Sequence, residues 1–247
     1  MRKLNTFRAN SSGQLLIVAA LIIALMISST TIYVYELNKG AGYSNSPAFT
    51  DFALSLKQST RNAMIGALAN ASNGGTGAVL SENLNHFSDV VRRLNQFGVC
   101  NLTCSLFEDS VYDLGIWFSW NSSEVDVSGA YADFGLIVDG FASRVSVPYA
   151  INVTTSLAGN CSYVLEGTEK HVNVTCRLYN EGEPALAKNI TVFYESGVDW
   201  IQTGGSTIDY GNGTYLINIT APFDTTQILL NVWDMRGILV QAKYALS

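Results

Sequence analysis

Val145-Ser-Val-Pro-Tyr-Ala-Ile-Asn-Val153 alternates without a slip. Val145, Val147, Tyr149, Ile151 and Val153 hold the odd positions, with small, polar or proline residues between them. A period of two places the odd set on one face of a β-strand and Asn152 on the other. The same parity recurs downstream. Val172, Val174, Cys176 and Leu178 form an inward set that leaves Asn173 outside. Ile190, Val192 and Tyr194 leave Asn189 outside, and Tyr215, Ile217 and Ile219 leave Asn218 outside. Each of these four outward asparagines begins an Asn-x-Ser/Thr sequon.

Nine sequons lie beyond residue 36, at Asn70, Asn101, Asn121, Asn152, Asn160, Asn173, Asn189, Asn212 and Asn218. With 18 asparagines there and about one residue in six Ser or Thr, chance gives roughly three. Nine is a compositional signal for N-glycosylation, and strand parity agrees with it because a glycan is tolerated only on a solvent face. Asn10 also begins a sequon, but before the apolar segment. In an exported chain, the four cysteines imply two disulfides, with three pairings open. Cys161 with Cys176, and Cys100 with Cys104, is the pairing expected here. Zinc binding through these thiols with His86 and His171 matches no usual ligand spacing.

Residues 158–247 contain seven short strand patterns with turn signals every 8 to 12 residues, the pattern of an immunoglobulin-like sandwich. The strands are expected at 161–165, 171–179, 189–195, 198–203, 214–220, 227–233 and 238–246. The loops between them include Asn180-Glu-Gly-Glu-Pro184, Gly211-Asn-Gly213 and the four-residue turn Asp234-Met-Arg-Gly237. Upstream, Ser46-Pro47 starts a helix that keeps apolar spacing from Phe49 to Leu68 and stops at Asn73-Gly-Gly. A second helix, from Ser81, carries Leu84, Phe87, Val91 and Leu94 as one stripe. Alternation from Tyr112 to Trp120 and over 131–138 adds strands to this unit, which spans 46–155.

At the N-terminus, 13 apolar residues run from Leu15 to Ile27, and a helix over 15–35 would be about 31 Å long, enough to span a bilayer core. Arg2, Lys3 and Arg8 precede it, so the positive-inside rule puts 1–13 in the cytoplasm, 14–36 in the membrane as a signal-anchor, and the rest outside. The alternative is a secretory signal cleaved after Ser29, since 13 apolar residues also fit an h-region. The resulting fold class is α+β: one transmembrane helix, a membrane-proximal two-helix and strand unit, and a C-terminal Ig-like β-sandwich. The mean hydropathy of +0.19 is then largely one segment's contribution. Without those three cations, 11 basic residues face 20 acids outside, a net of −9. Nucleic-acid binding is excluded by this acidity.

The string Arg8-Ala-Asn-Ser-Ser-Gly-Gln-Leu-Leu-Ile-Val-Ala-Ala-Leu-Ile-Ile-Ala-Leu25 resembles the N-terminus of archaeal type IV pilin-like proteins, in which a basic region leads to Gly or Ala, then Gln, then a hydrophobic assembly helix. The resemblance implies processing between Gly13 and Gln14 and pilin-like proteins as partners. Val18 stands where many pilins carry Glu, and the break at 40–47 interrupts the long first helix, which points to a minor or pilin-like subunit. The strings Val174-Thr-Cys-Arg-Leu-Tyr-Asn-Glu-Gly-Glu-Pro-Ala-Leu-Ala-Lys-Asn-Ile-Thr-Val192 and Asp209-Tyr-Gly-Asn-Gly-Thr-Tyr-Leu216 resemble turns of archaeal and bacterial Ig-like adhesion modules.

No nucleophile elbow, metalloprotease, P-loop or EF-hand motif occurs. The acids Glu108, Asp109, Asp113, Asp133 and Asp139 are the residues available for acid–base or calcium chemistry. Trp117, Trp120, Trp200 and Trp233 are available as a sugar platform, and their strand positions favour a core role. The expectation is therefore a non-enzymatic, cofactor-free, membrane-tethered and N-glycosylated surface protein, structural or adhesive. A ligand-binding sensor ectodomain and a secreted hydrolase are the alternatives.

Overall fold

The computed structural model describes residues 23–24, 26–28, 30–32, 47–93, 98–120, 125–140 and 144–246. Two helices and twelve strands follow the short helical pieces within 23–32: α1 (Pro47–Ser72), α2 (Val79–Arg92), β1 (Val99–Leu106), β2 (Ile116–Ser119), β3 (Val125–Asp139), β4 (Arg144–Glu166), β5 (Glu169–Asn180), β6 (Glu183–Pro184), β7 (Ala187–Ser196), β8 (Asp199–Thr203), β9 (Gly205–Asp209), β10 (Thr214–Pro222), β11 (Gln227–Asp234) and β12 (Leu239–Ala245). Strand dominates, in two antiparallel sheets. The larger has the order β1-β3-β4-β5-β10-β9, with β2 also on β3 and β6 on β5; the smaller runs β12-β11-β7-β8.

This corrects the expected fold class and location. Among the described residues no helix is long and apolar enough to cross a membrane. Helix α2 is only 14 residues, about 21 Å. Helix α1 has the length but carries Asp51, Lys57 and Arg61 along it. The single-pass anchor, and the cytoplasmic tip and exterior assigned from it, are withdrawn. Most of 14–36 lies outside the described residues. In the helical pieces that are described, Thr30 donates to the carbonyls of Met26 and Ile27, and Thr31 to that of Ile27.

β4 organises the molecule. It runs 23 residues, pairing with β3 over 144–158 on one side and with β5 over 155–166 on the other. Its odd residues all face one way, yet two different layers cover them. The first stretch, through Val153, belongs to a core with Met64, Leu68, Leu80 and Leu84 of the helices. From Leu157 onward it belongs to a second core with Val192, Ile228, Leu230 and Val240 of the smaller sheet. The helix pair and the smaller sheet thus sit in tandem on one face of the larger sheet. The opposite face has no covering layer among the described elements.

The strand expected at 161–165 is the end of this longer one. Gly159 is an inward position inside this strand, opposite Cys176. A Cβ there would stand 2.5 Å from the Tyr244 hydroxyl and 2.8 Å from the Thr175 carbonyl. This glycine serves close packing rather than a break. The reverse happens at 112–120, where one alternating strand is expected. Leu114 and Gly115 have φ of 47° and 76° and make a tight turn, with Asp113 bridged to Ile116, so the strand starts only at Ile116.

The two covers are joined to each other and to the sheet. The Ser72 hydroxyl of α1 accepts from Leu239 N–H at 3.0 Å. Asn73 donates to Gly237 C=O at 3.0 Å and accepts from the Trp233 indole at 2.8 Å. Beside them lies a charged cluster. Asp234 is fully buried; its carboxylate accepts from Arg236 Nε at 2.7 Å, Thr155 Oγ1 at 3.0 Å and the N–H groups of Arg236 and Ile238. Arg236 reaches Glu181 at 2.7 Å and the Thr154 carbonyl at 2.9 Å. Glu181 also receives Arg61 of α1 at 2.9 Å and the Thr154 N–H at 3.1 Å. Within the sandwich, the buried Tyr215 hydroxyl accepts from Ala187 N–H at 2.7 Å and ties β10 to β7.

Glu181 and Gly182 are the two central residues of the β5–β6 hairpin, with φ of 49° and 86°. Positive φ at both positions is the type I′ requirement, which costs a non-glycine residue about 1–2 kcal/mol. Glu181 carries that cost because its carboxylate holds two arginines. Two outcomes follow from this arrangement. Arg236→Ala leaves the Asp234 carboxylate buried without its cation and is expected to lower stability by about 3–5 kcal/mol in urea denaturation. Glu181→Ala is expected to destabilise more than Glu181→Gly, since glycine removes the backbone cost while both lose the arginines. Equal midpoints for the two would sink this account of Glu181.

Candidate functional site

The open face of the larger sheet is read from the register. Inward Leu136, Ile151 and Val174 fix which parity points outward on each strand. On β1 the outward set includes Asn101, opposite Ile137. On β4 it includes Asn152, opposite Tyr131, and Asn160, opposite Thr175. On β5 it includes Asn173, opposite Ser162 on one side and Asn218 of β10 on the other. Asn218 in turn faces Ser206 of edge strand β9, donating to its hydroxyl at 3.3 Å. Five sequons from four strands thus share one uncovered face.

The other described sequons lie elsewhere on the surface. Asn70 is on α1, Asn189 is on the outer side of the smaller sheet, and Asn212 is at the tip of the β9–β10 hairpin. None of the eight is buried: Asn101 and Asn218 are half-buried and the rest exposed. Asn121 lies outside the described residues, as do the processing pair Gly13 and Gln14.

The cysteines do not bridge, which corrects the expected disulfides. All four are free thiols. Cys100 and Cys104 sit four residues apart on a single extended strand, about 13 Å at strand rise and far beyond bridging distance. Cys161 faces Val174, while Cys176 faces Gly159, so these two are diagonal across β4 and β5 rather than opposite. The four act as small apolar residues of the two cores. Burial pushes the Cys104 and Cys161 thiols up from 9.0 to about 11, the nearby Asp133 adding to the rise at Cys104, and burial pushes Cys176 up to about 12.

The acids are dispersed among structural tasks. Asp109 accepts from Val111 and Tyr112 N–H at 2.7 Å and closes their turn. Asp133 accepts from the Tyr131 hydroxyl at 3.1 Å, and Asp139 pairs with Arg144 at 3.3 Å. Among the described residues, no three His, Cys, Asp or Glu side chains converge as a metal site would need. His86 is exposed on α2, and His171 pairs with Glu166 at 3.0 Å on β5. The tryptophans do not meet either. Trp120 packs on the sandwich core and donates to Ser128 at 2.9 Å, Trp233 holds Asn73, and Trp200 lies under Lys243 at 5.4 Å.

Trp117 alone joins an aromatic group on the open face, with Tyr112 at 5.8 Å, and Tyr112 with Phe107 at 5.6 Å. Tyr131 completes it, 5.3 Å from Phe107 and 6.3 Å from Tyr112. Sequence reading missed this group because the turn at Leu114 divides it among three segments. The signal available was Tyr131 at an outward position between Ala130 and Ala132. No protein-family model, curated protein or solved structure matches the chain. Its functional reading therefore rests on its own residues.

The thiols give a pH dependence of defined sign. In the unfolded chain they ionise near 9.0, and in the fold only toward 11 to 12. Above pH 9 the unfolded state therefore releases protons first, and stability is lost as pH climbs from about 9 to 12. The urea midpoint is expected to fall between pH 8 and 10.5, with a smaller fall for Cys176→Ala. Denatured without reductant, the chain is expected to take up four alkyl groups; fewer would mean that a pair had oxidised.

Proposed function

We propose that this chain is a non-catalytic, N-glycosylated interaction protein of adhesion type. In this reading the larger sheet carries glycans on its open face, and the C-terminal sandwich, read as Ig-like, is its contact module. The observation that supports it best is the gathering of five sequons on one uncovered sheet face, when inward parity was equally available to each asparagine. The turn string around Glu181 adds the likeness to surface Ig-like modules, and the string around Gly13 adds pilin-like proteins as the class of partner.

The chemistry of the face fits the reading. Only 14% of the chain is charged, so an open sheet of this size has few Lys and Glu side chains to solvate it. N-glycans at Asn101, Asn152, Asn160, Asn173 and Asn218 would supply that solvation and bar a second sheet from stacking there. The smaller sheet carries one sequon, Asn189, on its outer side and so keeps more of its surface open to a protein partner. Glycopeptide mapping of the full chain made in an N-glycosylating host tests the proposal. Occupancy is expected at several of the eight described sequons, outer-face ones included; unmodified asparagine at all of them overturns it.

A further inference from the structure

The five outer-face sequons differ in what they face. Asn101 meets Ile137, Asn160 meets Thr175, and Asn173 and Asn218 meet each other beside serines. Asn152 is the one set directly opposite an aromatic residue, Tyr131. Two residues on, its sequon threonine, Thr154, is opposite Gly129. Gly129 offers no side chain, and Trp117 fills the space: Trp117 Cε3 and Thr154 Cγ2 lie 3.5 and 3.6 Å from where a Cβ at Gly129 would stand. The aromatic group of Phe107, Tyr112, Trp117 and Tyr131 therefore runs up to this sequon. Phe107 is 40% exposed, and the other three are half-buried.

We propose that this group is a cradle for the chain's own glycan, and that the first sugar of an N-linked chain on Asn152 packs against Tyr131. The inference rests on the glycosylation reading and adds to it a specific contact. Residues directly opposite in an antiparallel pair hold their Cβ atoms about 4.5–5.5 Å apart, so a sugar joined at Asn152 Nδ2 starts at the height of the Tyr131 ring. Its C–H groups carry partial positive charge and meet the negative face of an aromatic ring. Covalent attachment keeps the sugar at high effective concentration over the ring, so even a weak contact is populated. A partly exposed aromatic group on an open face is otherwise an association hazard. The occupant that covers it is already tethered beside it.

The test is a double-mutant cycle on the full chain expressed in an N-glycosylating host, with the host's own glycan as probe. Asn152→Gln is expected to lower the melting temperature by about 2–4 °C in the presence of Tyr131 and by less than about 1 °C in the Tyr131→Leu background. Tyr131→Phe, which keeps the ring, is expected to retain the coupling, and Asn173→Gln to show none with Tyr131. Glycopeptide mapping accompanies each variant. Asn152 occupied but additive with Tyr131→Leu overturns the cradle and leaves the glycosylation reading standing. Asn152 empty while other sequons are filled does the same. All sequons empty overturns both.

Discussion

Asp234 has no solvent contact, and its whole hydrogen-bonding capacity is spent within a few ångströms on Arg236, Thr155 and two backbone N–H groups. A carboxylate in that place costs several kcal/mol to desolvate, and only a complete set of partners returns it. Those partners come from every layer. Thr155 is on the long strand, Arg236 is in the turn of the smaller sheet, and Glu181, the second anion for Arg236, is in the hairpin after β5. Glu181 then takes Arg61 from the helix pair. A slip of any layer by one residue strands a charge. Apolar contacts tolerate small displacements, but this cluster does not, and so it fixes how helices and smaller sheet lie beside each other on one face.

That constraint also explains why two cores can share one strand. Val153 closes the first core and Leu157 opens the second; between them, Thr155 turns inward to Asp234. The polar residue does not interrupt the strand, because its hydroxyl is satisfied. It separates two packing environments, one filled by Leu and Met from helices and one by β-branched residues from a facing sheet. The seam between them is hydrogen-bonded rather than apolar.

The period of two over 145–153, the outward parity of the sequons and the proline start of α1 were all legible in the sequence, because each depends on neighbours within a few residues. The seam was not. Arg61, Glu181, Asp234 and Arg236 span 176 positions, and each by itself looks like a solvated loop or helix charge. The turn Asp234-Met-Arg-Gly237 was visible as a turn, with nothing to mark its first residue as buried. Gly159 gives no local signal either: the partner that needs it small, Tyr244, is 85 residues away. The cysteines misled through compartment logic. Their number suggested bridges, while strand geometry places one pair along a single strand and the other on a diagonal.

The open face raises a question that the cores do not. A broad antiparallel sheet with one bare side normally carries a charged, alternating surface there, since a flat and weakly charged face invites a second sheet. Here that side offers Ile137, Tyr131, Trp117, Leu216 and Val164 among serines, threonines and asparagines. Its charges are Asp133, Asp139, Arg144, Glu166, Glu169 and Arg177, with no lysine among its described strand positions. The sequons occupy it at intervals, on β1, β4, β5 and β10, and the partly exposed aromatic group of Phe107, Tyr112, Trp117 and Tyr131 lies beside one of them. Polar bulk at these asparagines would stand between the sheet and any partner approaching flat-on. It would leave the edges, and the smaller sheet away from Asn189, as the routes of contact. With the proposed glycans in place, the asparagines on this face would let a chain poor in charge expose a sheet without a second sheet stacking on it.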